Sequence, residues 1–217
     1  MPAHRVWLIR HGRTDWNDQH RWQGHVPTSL NAEGHRQARL LATHLKDEAI
    51  GTVYSSDLPR ALQTAQAVAS MLELVPVVDE RLREVNVGVF QALFPDELQE
   101  LYPDELARWR SDDLDYAMPG GESLRALQNR IVQAFDDITD KAGHSEIAIV
   151  THGGTLRRLV QHLAADGPHA GDHLRFANTS YTVVSRADDN RWNIDQVAAT
   201  DHLSASSAKG NTSQTSF

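Results

Sequence analysis

Two similar turns in the sequence each carry a histidine directly after a short apolar segment. Residues 8–14 read Leu-Ile-Arg-His-Gly-Arg-Thr, and residues 149–155 read Ile-Val-Thr-His-Gly-Gly-Thr. Short apolar runs of this kind are typical of strands buried in a parallel sheet. Because residues that follow the carboxyl ends of parallel strands line the binding crevice, we expect His11 and His152 to lie at the same end of the sheet.

A third segment places an arginine at that end. Residues 53–60 read Val-Tyr-Ser-Ser-Asp-Leu-Pro-Arg, so Arg60 falls in the first turn of a helix, where free N–H groups and the helix dipole favour an anion. Arg10 precedes His11, and planar guanidinium groups bind phosphate oxygens in pairs. The sequence therefore predicts a phosphate site, which must be a local basic pocket because the formal net charge is −8.

The histidines give this predicted site a chemistry that needs no metal ion. A neutral imidazole is a nucleophile, and its attack on phosphorus gives a phosphohistidine, which splits one difficult displacement into two easier ones. The arginines and the second histidine would stabilise the charge on the transferring group. Glu84 follows the predicted third strand in a turn, and it is the carboxyl group best placed to protonate the leaving alcohol.

Hydrophobic periodicity predicts the elements that must position these residues. Strands are predicted at Arg5–Ile9, Thr52–Tyr54, Val75–Val78, Ile147–Val150 and Tyr181–Ser185, with Trp192–Val197 as a sixth. Helices are predicted from an Asn31 cap to Lys46, over Leu58–Leu72 after an Asp57 cap, over Glu122–Ala142 and over Thr155–Ala165. Strands that alternate with helices indicate an α/β sandwich with a mostly parallel sheet.

Two stretches depart from this alternation. Between Gly88 and Gly121 the pattern gives two short helices, Pro95–Leu101 and Pro103–Arg110, and then an acidic loop. We interpret this stretch as a small lid insertion that covers one edge of the sheet. Residues 204–217 are rich in Ser, Thr, Gly and Asn, and they are predicted to be disordered. The predicted organisation is therefore a single domain over residues 1–203.

The composition limits the possible classes of function. A chain of 217 residues can bury the core of one domain. Its acidic charge argues against binding to nucleic acid or anionic membranes, and no apolar run approaches the roughly 18–20 residues of a membrane span. Without cysteine, disulfides and thiolate chemistry are excluded, and without a secretory signal we expect a cytoplasmic protein. Most other histidines, including His44 and His202, are interpreted as solvated side chains, with no metal site.

The motifs, taken in order, resemble those of the histidine phosphatase superfamily, in the branch that includes the cofactor-dependent phosphoglycerate mutases. The resemblance spans about Val6 to Thr182. It rests on Leu-Ile-Arg-His-Gly-Arg-Thr-Asp-Trp-Asn at 8–17, Trp-Gln-Gly at 22–24, Ser-Ser-Asp-Leu-Pro-Arg-Ala at 55–61, Leu-Arg-Glu at 82–84, Gly-Gly-Glu-Ser at 120–123 and Val-Thr-His-Gly-Gly-Thr-Leu-Arg at 150–157. It implies a three-layer α/β/α sandwich and catalysis without a metal or cofactor.

The resemblance also implies a role for each matching residue. His11 would be the phosphorylated nucleophile, and Glu84 the proton donor that later activates water. Arg10, Arg60 and His152 would complete the phosphate pocket. Substrate binding would add Asn17 at the phosphate, with Gln23, Gly24 and Gly153 beside the rest of the substrate.

The length of the lid favours a phosphatase over a mutase. Mutases that resemble this chain carry a longer insertion after the equivalent of Glu84, and a shorter lid leaves the phosphohistidine open to water. The lid is also acidic, which disfavours a small bisphosphate. We therefore expect better activity on monoesters of larger or less charged alcohols than on phosphoglycerates.

The sequence departs from the family pattern at His25-Val26-Pro27-Thr28 and at Phe90-Gln91-Ala92. These segments contact the variable part of the substrate in the family, so the sequence does not identify the substrate. The expected partner is a small phosphorylated metabolite, and the chain would be a monomer or a homodimer. A phosphoglycerate mutase is the main alternative. A non-catalytic member that binds phosphorylated ligands is disfavoured because every core residue is present. A protein phosphohistidine phosphatase is a further alternative, although such members tend to lack a lid.

Overall fold

The structure, a computed structural model, describes residues 1–111, 113–164 and 174–204. The strands are β1 (Arg5–Arg10), β2 (Thr52–Ser55), β3 (Val77–Val78), β4 (Glu146–Thr151), β5 (Tyr181–Arg186) and β6 (Trp192–Ala199). The helices are α1 (Asp15–Asp18), α2 (Ala32–Leu45), α3 (Pro59–Met71), α4 (Pro95–Leu101), α5 (Pro103–Trp109), α6 (Leu124–Lys141), α7 (Gly153–Leu163) and α8 (Asp201–Ser204). The predicted disordered tail lies, after Ser204, outside the described residues.

The six strands form one sheet in the order β3-β2-β4-β1-β5-β6. The pairs β1 with β4, β4 with β2 and β2 with β3 are parallel, whereas β5 and β6 add an antiparallel edge. This confirms the mostly parallel sheet. Arg10 of β1 lies opposite Thr151 of β4, so the next residues, His11 and His152, leave the sheet side by side.

Both faces of the sheet are covered by helices. Successive residues of a strand point to opposite faces, and β1 shows this directly. Val6 and Leu8 belong to a core formed with α6 and α7, while Trp7 and Ile9 belong to a second core formed with α2 and α3. The three-layer α/β/α sandwich is therefore confirmed.

The lid builds a third core of its own. Phe90, Leu98 and Leu106 are buried together in it, and partly buried Trp22 packs against them. The backbone N–H of Trp22 donates to Leu93 (3.0 Å), which ties the lid to the loop after α1. Trp109 of the lid lines a cavity that Arg10 and His11 also line, so the lid lies next to the carboxyl end of the sheet.

Three predicted helix starts differ from the structure. Helix α6 begins at Leu124 after a Ser123 cap and not at Glu122. The other two differences have a tertiary cause. The residue before α3 in the cap position is Leu58 and not Asp57, because both carboxylate oxygens of Asp57 accept hydrogen bonds from Arg83 instead. That pairing holds the pKa of Asp57 below its usual value. Helix α7 begins at Gly153 rather than Thr155, because a distant side chain caps it, as described below.

One predicted surface histidine is buried. His202 lies on the short helix α8 and is 4% exposed, with its Nε2 atom 3.1 Å from the Thr179 hydroxyl oxygen. Its ring packs 5.9 Å from the rings of Tyr181 and His44. The interpretation of His202 as a solvated side chain is therefore wrong, and burial lowers its pKa to about 4. Within the described ranges, no helix is long and apolar enough to cross a membrane.

Replacing Gly34 by alanine should destabilise the fold, because the first turn of α2 packs directly on the loop after His11. A Cβ atom at Gly34 would lie 2.0 Å from the backbone oxygen of Arg13. We expect Gly34→Ala to lower the free energy of unfolding by about 1–3 kcal/mol, measured by urea denaturation. His35→Ala, at an exposed position on the same turn, should stay within about 0.5 kcal/mol of wild type. Equal stability of the two variants would contradict this close packing.

Candidate active site

A cavity of about 550 Å³ opens at the carboxyl ends of β1 and β4. All the residues predicted for the site except His152 line its wall: Arg10, His11, Asn17, Gln23, Gly24, Arg60, Glu84 and Gly153. His152 is fully buried beside the cavity, with its ring centre 5.2 Å from that of His11. The fold thus brings together residues from widely separated parts of the chain.

His11 is held with one ring nitrogen free. Its Nδ1 atom lies 2.7 Å from the backbone oxygen of Gly12, an acceptor, so Nδ1 carries the proton and Nε2 keeps its lone pair. The turn itself is fixed because the Gly12 N–H donates to the Thr64 hydroxyl (2.9 Å). The side-chain amide of Asn178 donates to the backbone oxygens of His11 (3.1 Å) and Gly12 (3.2 Å). A buried, oriented imidazole with a free Nε2 can act as a nucleophile.

The two arginines are fixed by backbone oxygens and keep unused donors. Arg60 is 1% exposed and donates to the backbone oxygens of Gly24 (2.8 Å) and Val26 (2.9 Å). Arg10 donates to a backbone oxygen in the segment before β5. The Nε atoms of Arg10 and Arg60 and the Nδ1 atom of His152 are all buried without a hydrogen-bond partner. Since buried donors are rarely left unpaired, this group calls for a bound acceptor, and an oxyanion would supply one.

Ser56 sets the proton position on His152. The Nε2 atom of His152 lies 2.9 Å from the hydroxyl oxygen of Ser56, which also accepts the Leu58 N–H at 3.3 Å. When the hydroxyl donates its own proton to Nε2, the proton of a neutral His152 ring lies on Nδ1. His152 can therefore donate a hydrogen bond from Nδ1 without carrying a positive charge.

Glu84 caps the helix that follows His152. Its carboxyl oxygens accept the backbone N–H groups of Gly154 (3.0 Å) and Thr155 (3.0 Å) at the start of α7. A Cβ atom at Gly154 would lie 2.6 Å from a Glu84 oxygen, so a larger residue there would displace the carboxyl group. On the other side, Arg130 donates to the Glu84 backbone oxygen (3.3 Å) and is paired with Glu122 (2.6 Å). The carboxyl group is thus positioned from two helices.

Asn17 and Gln23 present amide donors to the cavity. The Oδ1 atom of Asn17 accepts from the Thr14 N–H (3.1 Å) and from the Asn178 amide (3.2 Å). The Oε1 atom of Gln23 accepts from the hydroxyls of Thr28 (2.6 Å) and Thr14 (3.1 Å). Because both oxygens are occupied in this way, the NH₂ groups remain as the free donors.

The site concentrates positive charge in an acidic protein. Burial lowers the pKa of Arg10, and it lowers the pKa of Arg60 to about 10, while the nearby Glu84 carboxyl group opposes both shifts. Burial, followed by the charge of Arg60, holds the pKa values of His11 and His152 well below 6.5. Both imidazoles are therefore neutral at pH 7.

Sequence reasoning missed several residues of the cavity. Asn178 and Arg175 precede β5 outside any recognised motif, and no pattern in the sequence marked them. Arg157 belongs to the last motif of the resemblance but was given no role; on α7 it lies one turn beyond Gly153 and lines the same cavity. The acidic side chains of the lid that the structure describes do not line the cavity, so the lid charge does not act on a ligand there directly. Within the part of the chain that the structure describes, the cavity included, no group of three or more His, Asp or Glu residues could hold a metal ion.

Comparison with known proteins identifies the family. The model of the histidine phosphatase superfamily (branch 1) matches residues 6–200, and the chain belongs to this superfamily. A curated relative from Arabidopsis thaliana, named phosphoglycerate mutase-like protein 4, is 37% identical over 199 residues, covering 90% of this chain and 85% of that protein. The superfamily predicted from the motifs is confirmed.

Solved structures share the fold over almost the whole chain. A mycobacterial glucosyl-3-phosphoglycerate phosphatase in complex with VO₃ matches with a TM-score of 0.81 and 30% identity, covering 91% of this chain and all of that one. The α-ribazole phosphatase of Shigella flexneri matches with a TM-score of 0.81 and 28% identity, covering 90% of this chain and 96% of that one. The structural neighbours thus include phosphatases, whereas the curated relative is named for a mutase.

Removing the Ser56 hydroxyl should weaken catalysis through His152. Without this hydroxyl, in Ser56→Ala, the neutral His152 ring can carry its proton on either nitrogen. The loss of one buried hydrogen bond should then lower kcat about tenfold on an aryl phosphate. Ser55→Ala is the matched control, because the buried Ser55 hydroxyl donates only to the backbone oxygen of Ser56 (2.8 Å). If both variants lost activity in proportion to their lost stability, the role of Ser56 would be structural only.

The pH profile should extend further to the acid side than a free histidine would allow. Because the pKa of His11 is lowered, its neutral form persists as the pH falls through 6.5, and it is lost only below the lowered value. We expect the acid limb of kcat/KM to lie below pH 6.5, after correction for the second ionisation of the phosphate ester near pH 6. An acid limb centred at or above pH 6.5 would contradict the buried, cation-flanked environment of His11.

Proposed function

We propose that this protein is a phosphatase that hydrolyses small-molecule phosphate monoesters through a phosphohistidine on His11. The observation that carries the proposal is the set of buried, unpartnered donors of Arg10, Arg60 and His152 around the free Nε2 atom of His11. A phosphoryl group bound to these donors would place its phosphorus atom next to a neutral nucleophile. We also propose that Asn17 contacts the phosphate, while Gln23, Gly24 and Gly153 border the rest of the substrate.

In the first step of the proposed reaction, Nε2 of His11 attacks phosphorus while the P–O bond to the alcohol breaks. Guanidinium groups of Arg10 and Arg60 stabilise the charge on the equatorial oxygens, and His152 donates from Nδ1. Glu84 gives its proton to the leaving alcohol oxygen. The products are the free alcohol and a phosphohistidine.

In the second step a water molecule replaces the alcohol. Glu84, now a carboxylate, takes a proton from the water as its oxygen attacks phosphorus. The P–N bond breaks, inorganic phosphate leaves, and Nε2 of His11 regains its lone pair. Each step uses residues of this chain only.

Hydrolysis is favoured over mutase activity by the compact lid and by the two structural neighbours named as phosphatases. The name of the curated relative favours the mutase as a second candidate. The two activities share the phosphohistidine and differ in what accepts the phosphoryl group, so their ratio decides between them.

The proposed mechanism predicts activity that resists chelators and depends on His11. With a chromogenic aryl phosphate and excess chelator, wild type should release phosphate, and His11→Ala should be at least about 10³-fold slower. His35→Ala, an exposed histidine outside the cavity, should match wild type. Rapid-quench experiments with ³²P-labelled ester should trap a labelled protein in wild type only. An active His11→Ala variant would refute the mechanism.

A second experiment separates hydrolase from mutase. Phosphate release from 3-phosphoglycerate and interconversion of 2- and 3-phosphoglycerate in the presence of 2,3-bisphosphoglycerate should be measured on the same preparation. We expect phosphate release from other monoesters to exceed interconversion. Interconversion faster than phosphate release from every ester tested would instead establish the mutase.

A further inference from the structure

The cavity extends well beyond the space that one phosphoryl group needs. Its volume of about 550 Å³ lies in the range of roughly 300–1,000 Å³ typical of sites for whole small molecules. Arg10, His11, Arg60 and Glu84 account for the part at the strand ends. The rest of the lining is rich in tryptophan and arginine. Five of its residues are called the outer wall here: Trp16, Arg21, Trp22, Trp109 and Arg175.

The three tryptophans of the outer wall are held in place but stay partly exposed. Trp22 packs edge-on against Phe90 (5.6 Å) of the lid core and against Trp109 (6.1 Å). Trp16 lies on α1, just before the loop that carries Trp22. Fixed indole rings offer a flat apolar surface to a ring of a bound molecule at little cost in conformational entropy.

Arg21 is held rigidly on this wall. Its guanidinium group lies over the ring of Trp16 at 4.5 Å and over the ring of Phe94 at 5.0 Å. Its Nε atom donates to the backbone oxygen of Ala92. The left-handed backbone of His20 (φ 56°) turns the chain so that the Arg21 N–H returns to the Trp16 oxygen at 2.9 Å. The side chain is thus oriented before any ligand binds.

Arg21 also lacks a negative partner. Neighbouring Arg13 is paired with Asp18 on the same loop, and Arg81, Arg83 and Arg130 all have carboxylate partners. Among the described residues, by contrast, neither Arg21 nor Arg175 forms an ion pair, although the protein has a net charge of −8. Two further cations without an ion pair in the cavity lining, in addition to Arg10 and Arg60, favour a second anionic group on the ligand.

We propose that the natural substrate is a phosphate monoester whose alcohol carries a ring and a second anionic group, with the ring against the tryptophans and the anion on Arg21. This inference rests on the proposed function and names its substrate class. It departs from the expectation of a less charged alcohol, which was based on the acidic lid, because the described acidic residues of the lid do not line the cavity.

The test uses pairs of substrates that differ in charge only. In 3- and 4-carboxyphenyl phosphate the second anion lies at two distances from the phosphorus, and the matching carbamoylphenyl phosphates replace it by a neutral group of the same shape. We expect kcat/KM to be about tenfold higher for the carboxylate than for the amide in at least one pair, through a lower KM, as one charge-assisted hydrogen bond would give. Ratios near one in both pairs would overturn the proposal.

Variants of the outer wall then test whether Arg21 causes the preference for the carboxylate ester over the amide ester. Arg21→Gln should lower kcat/KM for the carboxylate ester about tenfold more than for the amide ester and so remove the carboxylate preference, while Arg21→Lys should keep part of the preference. Arg39→Gln, an exposed and unpaired arginine of α2 outside the cavity, is the matched control and should keep all of it. Trp109→Ala should raise KM for both esters of the preferred pair. If Arg21→Gln weakened both esters equally, its effect would be structural and the proposal would be wrong.

The same experiments distinguish a wrong substrate class from a wrong phosphatase mechanism. If wild type released no phosphate from any of these esters, or if His11→Ala released it equally fast, the phosphatase mechanism would fail. If release depended on His11 but showed no charge preference, only the substrate class would be wrong.

Discussion

The buried excess of positive charge at the ends of β1 and β4 is the constraint on which the site depends. Two guanidinium groups and two imidazoles face one carboxyl group, Glu84, and buried charges without partners are costly. The fold meets this cost by giving Arg60 the backbone oxygens of the loop after α1 and by keeping both imidazoles neutral. What stays unmatched is a set of buried nitrogen atoms, which the proposed phosphoryl ligand would complete.

Glu84 connects this charge balance to the architecture. Its carboxyl group caps α7, its backbone oxygen is held by Arg130 of α6, and its charge opposes the effect of burial on both active-site arginines. The same helix start carries Gly153 and Gly154, which leave room for the Arg10 and Glu84 side chains. The hydrogen bonds that cap α7 therefore also hold the Glu84 carboxyl group in place, and a substitution that breaks them would affect both the helix start and the carboxyl position.

Much of the fold could be predicted from local sequence patterns. The strands that carry His11 and His152 are short apolar runs, and their parallel pairing follows from the alternation of strands and helices. The errors fall where a distant partner overrides a local preference. Gly153 and Gly154 are poor helix formers, yet α7 begins at Gly153 because the Glu84 carboxyl group accepts the N–H groups of Gly154 and Thr155. Asp57 is a good helix cap in isolation, but the Arg83 guanidinium binds it instead.

The sequence by itself determined the candidate site residues at the strand ends and the end of the sheet at which they lie, because strand periodicity and the turns after each strand are local properties. Only the tertiary structure decided which nitrogen of each histidine is free and which arginines lack a partner. Those properties depend on contacts between residues far apart in the chain, such as Ser56 with His152 and Asn178 with the His11 turn. The outer wall is a tertiary feature for the same reason, since a loop, the lid and the segment before β5 meet there only once the chain has folded.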